Sequence, residues 1–253
     1  MLFRSELHLP AFRQGYEELA RQAQQESLSY ERYLLHLAER ECQERRSHRI
    51  ERLLRQSRLP LEKTWQALEL KRLPAKVVQQ ARVLLEGSFV DRRENVLAFG
   101  VPGSGKTHLL CAIAQELVRR GRRVAFYSSN LLVQELLVAK RDLKLSRLLK
   151  RLGGYEVLLL DDLGYVQQSR EEMEVLFTLL AERYERGSVM LSSNLAFSGW
   201  EQIFKDPMTT AAAIDRLVHH CVILELNVPS YRAEQARKAK QSRTAQGEDA
   251  RAD

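Results

Sequence analysis

The sequence predicts an α/β protein: a five-stranded parallel sheet between helices, carrying a phosphate-binding loop and preceded by a small all-helical N-terminal domain. Two observations predict the core. Five short apolar runs, 96–99, 124–127, 157–160, 189–191 and 222–226, alternate with helical stretches, as do parallel strands buried on both faces by crossover helices. The first run leads into Gly100-Val101-Pro102-Gly103-Ser104-Gly105-Lys106-Thr107 and then a helix-forming stretch, 108–120; this is G-x-x-x-x-G-K-[ST] in the strand–loop–helix setting it requires. A third observation predicts the N-terminal domain: residues 1–86 read as helix throughout.

In chain order, 17–24 is rich in helix formers, and 27–58 repeats Tyr30, Tyr33, Leu34, Leu37 and Ala38, then Ile50, Leu53 and Leu54, at helical spacing. Pro60 stops that run. A shorter helix over 75–85 ends near Gly87, and the domain boundary is placed at 86/87. The nucleotide core is expected over 87–232. Ser169-Arg170-Glu171-Glu172 is a capping box opening a helix that runs to about residue 184. Residues 233–253 are polar, without a large apolar side chain, and are expected to be a disordered tail.

The loop residues define the first chemistry. Glycines let the backbone wrap a polyphosphate, and the following helix N-terminus faces the same anion. Gly100 to Thr107, with His108, are therefore assigned to binding a nucleoside triphosphate: Lys106 as a point charge on the outer phosphates, Thr107 as a hydroxyl ligand in a Mg²⁺ shell. The run 157–160 ends in Asp161 and Asp162. Asp161 is placed to hold Mg²⁺, and Asp162 to orient or deprotonate the attacking water. The strand 189–191 leads through Ser192 and Ser193 to Asn194, placed beside the γ-phosphate.

Bulk properties narrow the rest. The 253 residues are 44% hydrophobic and 29% charged, with a net charge of +7, an ordinary globular composition that by itself does not decide between nucleic acid and a solvated basic face. No apolar run has the length of a membrane span and the N-terminus lacks a signal-peptide core, so a cytoplasmic location is expected. Cys42, Cys111 and Cys221 lack C-x-x-C spacing, which argues against zinc and a disulfide framework. Seven arginines, 40, 45, 46, 49, 52, 55 and 58, crowd one helix end among Glu39, Glu41, Glu44 and Glu51. The i,i+3 and i,i+4 pairs leave two readings equally open: a salt-bridged solvated face, or a phosphate-contacting face through residues such as Arg45, Arg46 and Arg49.

The ordered set of loop, Asp-Asp strand, Ser-Ser-Asn strand and Asp215-Arg216-Leu217 resembles the motifs of AAA+ ATPases. Glu94-Asn95-Val96, Gly105-Lys106-Thr107-His108-Leu109, Asp162-Leu163-Gly164-Tyr165, Arg183-Tyr184-Glu185-Arg186-Gly187-Ser188, Asp215-Arg216-Leu217-Val218-His219-His220 and Ser230-Tyr231-Arg232 narrow the resemblance to the IstB family, helper ATPases of bacterial insertion sequences, over about residues 10–232. The resemblance implies ATP and Mg²⁺ as cofactors, Asn194 as sensor 1, Arg216 as an arginine finger on a neighbour's nucleotide, and Arg232 as a second sensor. It implies an oligomer on duplex DNA and a partner transposase. By the same resemblance, Lys140, Arg141, Lys144 and Arg147 are assigned to sequence-independent phosphate contacts. Asp162 stands where the family usually has Glu, a carboxylate one methylene shorter, which puts the hydrolytic rate in question. A separate helical lid is not expected after the fifth strand, so one side of the nucleotide is expected to lie open. A DnaC-like helicase loader and a nucleotide-gated DNA-binding module with negligible turnover are the alternatives.

Overall fold

The computed structural model describes residues 8–164, 169–200, 207–231 and 233–234. Contacts divide the chain into two compact units, Met1–Leu53 and Leu54–Asp253. The expected boundary at 86/87 falls inside the second of these.

Helix α1 (Pro10–Gln25) and the long helix α2 (Tyr30–Ser57) supply the first unit, the unit boundary falling within α2. Pro10 opens α1, where its missing N–H costs nothing. The orphan N–H groups of the first turn find an acceptor in Glu41: Ala11 N donates to Oε2 at 2.8 Å and Phe12 N at 3.3 Å. Glu41 is buried, and Arg45 Nε donates to its other oxygen at 2.8 Å. The charge in the pocket is thus both paired and hydrogen-bonded, as a buried carboxylate requires.

The second unit holds the sheet. After a 3₁₀ turn at Leu70–Arg72 come α3 (Ala75–Leu85) and the short α4 (Ser88–Asp91). Then β1 (Asn95–Phe99), α5 (Lys106–Arg119), β2 (Val124–Ser128), α6 (Ser129–Arg141), α7 (Leu145–Gly153) and β3 (Val157–Leu163) follow. The chain continues through α8 (Arg170–Arg183), β4 (Ser188–Ser193), α9 (Pro207–Val218) and β5 (Cys221–Glu225). The strand order is β2-β3-β4-β1-β5, every pairing parallel. The five expected strands are thus the five observed. Helix α3, read from sequence as the last of the N-terminal domain, packs on α5 and β5 through buried Val77, Ala81 and Leu84. Its apolar stripe needs a partner, and the core supplies it.

The capping box forms as expected: Glu172 N donates to Ser169 Oγ, and Ser169 N to Glu172 Oε2 at 2.6 Å. The core is aliphatic, with Leu97, Leu132, Leu136, Leu158, Leu160, Leu176 and Leu191 buried in one cluster. Among the described residues no helix is long and apolar enough to cross a membrane.

One element departs from the sequence reading. Strand β3 does not stop at Leu160; it runs on through Asp161 and Asp162 to Leu163 with a register shift against β4 between Leu160 and Leu163. Asp162 sits in that bulge at φ +57°, in the left-handed region where aspartate is tolerated. The two carboxylates therefore occupy an irregularity in the strand, not its tip.

A candidate nucleotide site

The site lies at the C-terminal ends of β1, β3 and β4, where β4 separates the strand carrying the loop from the strand carrying the carboxylates. Ligands in open parallel sheets occupy this end. The loop after β1 is built around positive φ at Gly103 (+79°) and Gly105 (+97°), which L side chains rarely adopt. A Cβ built at Gly105 meets nothing within 4 Å, so this turn opens onto free space. Lys106, buried at 4% exposure, begins α5 and donates from Nζ to the loop's own carbonyls, Gly100 O at 2.8 Å and Val101 O at 3.0 Å.

Oxygen ligands converge beside it. Thr107 Oγ1 donates to Asp161 Oδ1 at 2.7 Å, and Ser192 Oγ donates to the same oxygen at 2.6 Å. Ser192 Oγ in turn accepts from Asp162 N at 2.8 Å. One serine on β4 thus fixes both the first carboxylate and the backbone of the second. A hydroxyl and a carboxylate side by side are hard oxygen donors, the set that suits Mg²⁺ when phosphates and water complete an octahedron. Thr107 and Asp161 would hold that ion. Asn194 and Asp162 line the same cavity. Asn194 Oδ1 is buried without a hydrogen-bond partner among the described residues, and so is Ser104 Oγ. Orphaned buried polar atoms are uncommon in a finished core; here a bound triphosphate and its water would satisfy both.

The cavity, about 440 Å³, is walled by Pro102 to His108 on one side and by residues of the 63–73 stretch, among them Lys63, Leu68, Glu69 and Arg72, on another. Its size matches a ligand pocket. The second wall is fastened to α5: His108 Nε2 lies 2.9 Å from Thr64 O, and Gln115 Nε2 donates to Pro60 O at 2.9 Å and Lys63 O at 3.1 Å.

A family model described as IstB-like ATP binding protein matches residues 3–239. The chain belongs to this family. The IstB-like chain is 41% identical over 240 residues to an insertion sequence ATP-binding protein of Sinorhizobium fredii, covering 94% of this chain and 80% of that one. It is 35% identical over 231 residues to the ATP-binding protein of insertion sequence IS5376 from Geobacillus stearothermophilus, covering 91% and 92%. Among solved structures it is similar to DnaI, with a TM-score of 0.56 at 23% identity, over 66% of this chain and 94% of that chain. The fold is therefore the AAA+ phosphate-loop fold, and the family is an ATP-binding one.

The remaining sequence-assigned residues of this IstB-like protein fall elsewhere. Arg216, on α9, does not line the cavity among the described residues. Its guanidinium lies 4.7 Å from the centre of the Phe177 ring, and one nitrogen donates to Ala212 O at 2.9 Å. Asn95 Nδ2, at the start of β1, donates to Leu217 O at 3.0 Å, whereas the phosphate loop follows the end of β1. Arg232 lies outside the described residues. Lys140, Arg141, Lys144 and Arg147 are exposed around the α6–α7 junction. Two of them are ion-paired, Lys140 with Glu174 at 2.9 Å and Lys144 with Asp142 at 3.4 Å. In the first unit Arg46 and Arg49 are exposed, while Arg45 is engaged with Glu41 and with His8 O.

Sequence reading missed Ser192 and the 63–73 wall. For Ser192 a signal was present, a hydroxyl two residues before Asn194 on a buried strand. The wall carries no motif; only the tertiary fold brings it to the loop. The segment after β5 packs on the phosphate loop. Leu226 O lies 2.5 Å from a Cβ built at Gly100, Ser230 abuts Gly103, and Tyr231 N donates to Gly103 O at 3.0 Å.

Proposed function

We propose that this protein is an ATPase that uses ATP to assemble on duplex DNA and there recruits and stimulates the transposase of its insertion sequence, hydrolysis controlling disassembly. The observation that carries the reading is the Thr107–Asp161–Ser192–Asp162 network beside the phosphate loop, in a chain whose relatives are insertion sequence ATP-binding proteins.

In this reading Lys106 exchanges its two loop carbonyls for phosphate oxygens. Thr107 and Asp161 hold Mg²⁺, whose chemistry is to neutralise charge on the β- and γ-phosphates. Asp162 orients the attacking water, and the unpartnered Asn194 oxygen accepts from it. Arg216 lies at the far end of β1 from the loop, roughly 13 Å of strand rise away, and turns onto Phe177. This supports an action on a neighbouring subunit's nucleotide rather than on its own. Exposed Arg141, Arg147, Arg46 and Arg49, with Lys140 and Lys144 once released from their weak surface pairs, would contact phosphates with steep salt dependence.

Sedimentation of the full chain with long duplex DNA and a non-hydrolysable ATP analogue tests the proposal. Large nucleotide-dependent species are expected, lost in Lys106→Ala and persistent in Asp162→Ala with ATP. Failure of the wild type to form larger species on duplex, or capture of a replicative helicase with preference for single strands, would sink it.

A further inference from the structure

We propose that Arg72, Tyr231 and Glu234 form a clasp that joins two walls of the nucleotide cavity and slows release of bound nucleotide. The proposal rests on that cavity being the nucleotide site. Arg72 belongs to the 3₁₀ turn of the 63–73 wall; Tyr231 and Glu234 belong to the segment after β5. These two stretches are more than 150 residues apart in sequence, and one side chain joins them. The Arg72 guanidinium lies 5.0 Å from the centre of the Tyr231 ring and donates to Glu234 Oε2 at 2.7 Å. A further contact, 3.5 Å, reaches Pro229 O.

One end of the clasp is tied to the phosphate loop and the other to α5, the helix that follows it. On one side Tyr231 N donates to Gly103 O at 3.0 Å, and Ser230 occupies the space a Cβ at Gly103 would take. On the other side His108 and Gln115, two turns apart on α5, hold the backbone of residues 60–64. Arg72 and Tyr231 both line the cavity, together with Leu68 and Leu73. A planar base between an aromatic ring and aliphatic side chains would be enclosed by them, and leaving would require the Arg72 contacts to part.

The alternative role for Arg72 is a phosphate ligand like Lys106. The geometry argues against it, because the guanidinium is already matched by a carboxylate and an aromatic face, the two partners that suit a planar cation. The ion pair is partly exposed, with side chains at 25% and 36%, so its strength is modest. A cation–π contact and a partly exposed pair together predict a change of about three- to tenfold in release rate, not abolition of binding.

The two roles predict opposite signs for one variant. Release of an ATP analogue carrying a fluorescent group on the ribose is followed by stopped flow from the full-length protein with Mg²⁺. For a clasp, Arg72→Ala, Tyr231→Ala and Glu234→Ala each release faster by about three- to tenfold, and the Arg72→Ala/Glu234→Ala pair is no faster than the larger single effect. The charge swap Arg72→Glu/Glu234→Arg releases more slowly than either of its component singles, a rescue that a mere loss of folding would not give. Slower release in Glu234→Ala, showing Arg72 freed to grip phosphate, overturns the clasp, as does an unchanged rate in Arg72→Ala. A wild type that does not bind the analogue at all overturns the nucleotide-site reading as well, and so is distinguishable from failure of the clasp alone.

Discussion

At the residue scale the decisive feature is Ser192. Adjacent side chains on a regular strand point to opposite faces, so two successive aspartates would not both serve one site. The bulge at Asp162 breaks that alternation, and the Ser192 hydroxyl holds the bulge by accepting from Asp162 N while donating to Asp161. Ser192→Ala is expected to lower ATP turnover by about 10- to 100-fold, as removal of a partner behind a metal ligand does, with nucleotide binding retained; steady-state hydrolysis and equilibrium binding measured on the same preparation check it. A second prediction concerns Cys111, which burial pushes up to about 12 from a usual value near 9. A thiol held neutral in the folded state and free to ionise in the unfolded one adds stability below pH 9, which is lost as pH rises toward 12. The melting temperature should therefore fall across that window, and less steeply in Cys111→Ala; equal slopes would remove the assignment.

At the element scale, the strands are positioned by a buried arginine, the first residue of the Arg183–Ser188 motif. Arg183 closes α8 and donates to Tyr155 O at 2.7 Å, Glu156 O at 2.9 Å and Ser188 O at 2.9 Å. It thereby ties the entry to β3 and the start of β4 to one helix end. Burial lowers its pKa to about 10, yet the carbonyls satisfy most of its donors. Arg183→Met would remove the donors to Tyr155 O and Ser188 O and one of the two to Glu156 O, which also accepts from Ser188 N at 3.0 Å, and a loss of about 3 kcal/mol is expected from several unmade hydrogen bonds; chemical denaturation with unchanged m-value would show it. The position of α3 teaches the complementary lesson. Helical periodicity showed that it exists, but not whose core its stripe of Val77, Ala81 and Leu84 would cover.

At the scale of the whole molecule, the proposed function takes the site to be completed by a neighbouring copy. Arg216 is turned onto Phe177, away from the cavity of its own subunit. A mixture of Asp162→Ala and Arg216→Ala proteins should therefore regain ATPase activity on DNA that neither shows alone, because one interface then unites an intact carboxylate with an intact arginine. Mixing that restores nothing, with both variants still assembling, would assign Arg216 to structure instead. The two basic groups belong to different units, and under the proposed function the salt dependence of DNA binding in variants of each would apportion the phosphate contacts between them.

What the sequence determined by itself was local chemistry. The phosphate loop, the buried strands, the capping box and the residue types at strand ends follow from spacing and composition, because glycine φ, β-branched and aliphatic runs and caps act over a few residues. The family set was legible for the same reason, as ordered short motifs. The tertiary structure alone decided what depends on long-range approach. It brought Ser192 under Asp161, carried the 63–73 wall to α5 through His108 and Gln115, seated Ser230 and Tyr231 on the loop, and put α3 on the sheet rather than with the N-terminal helices. These contacts join positions far apart in the chain through single hydrogen bonds and shared apolar faces, which leave no periodic trace in the residues that make them.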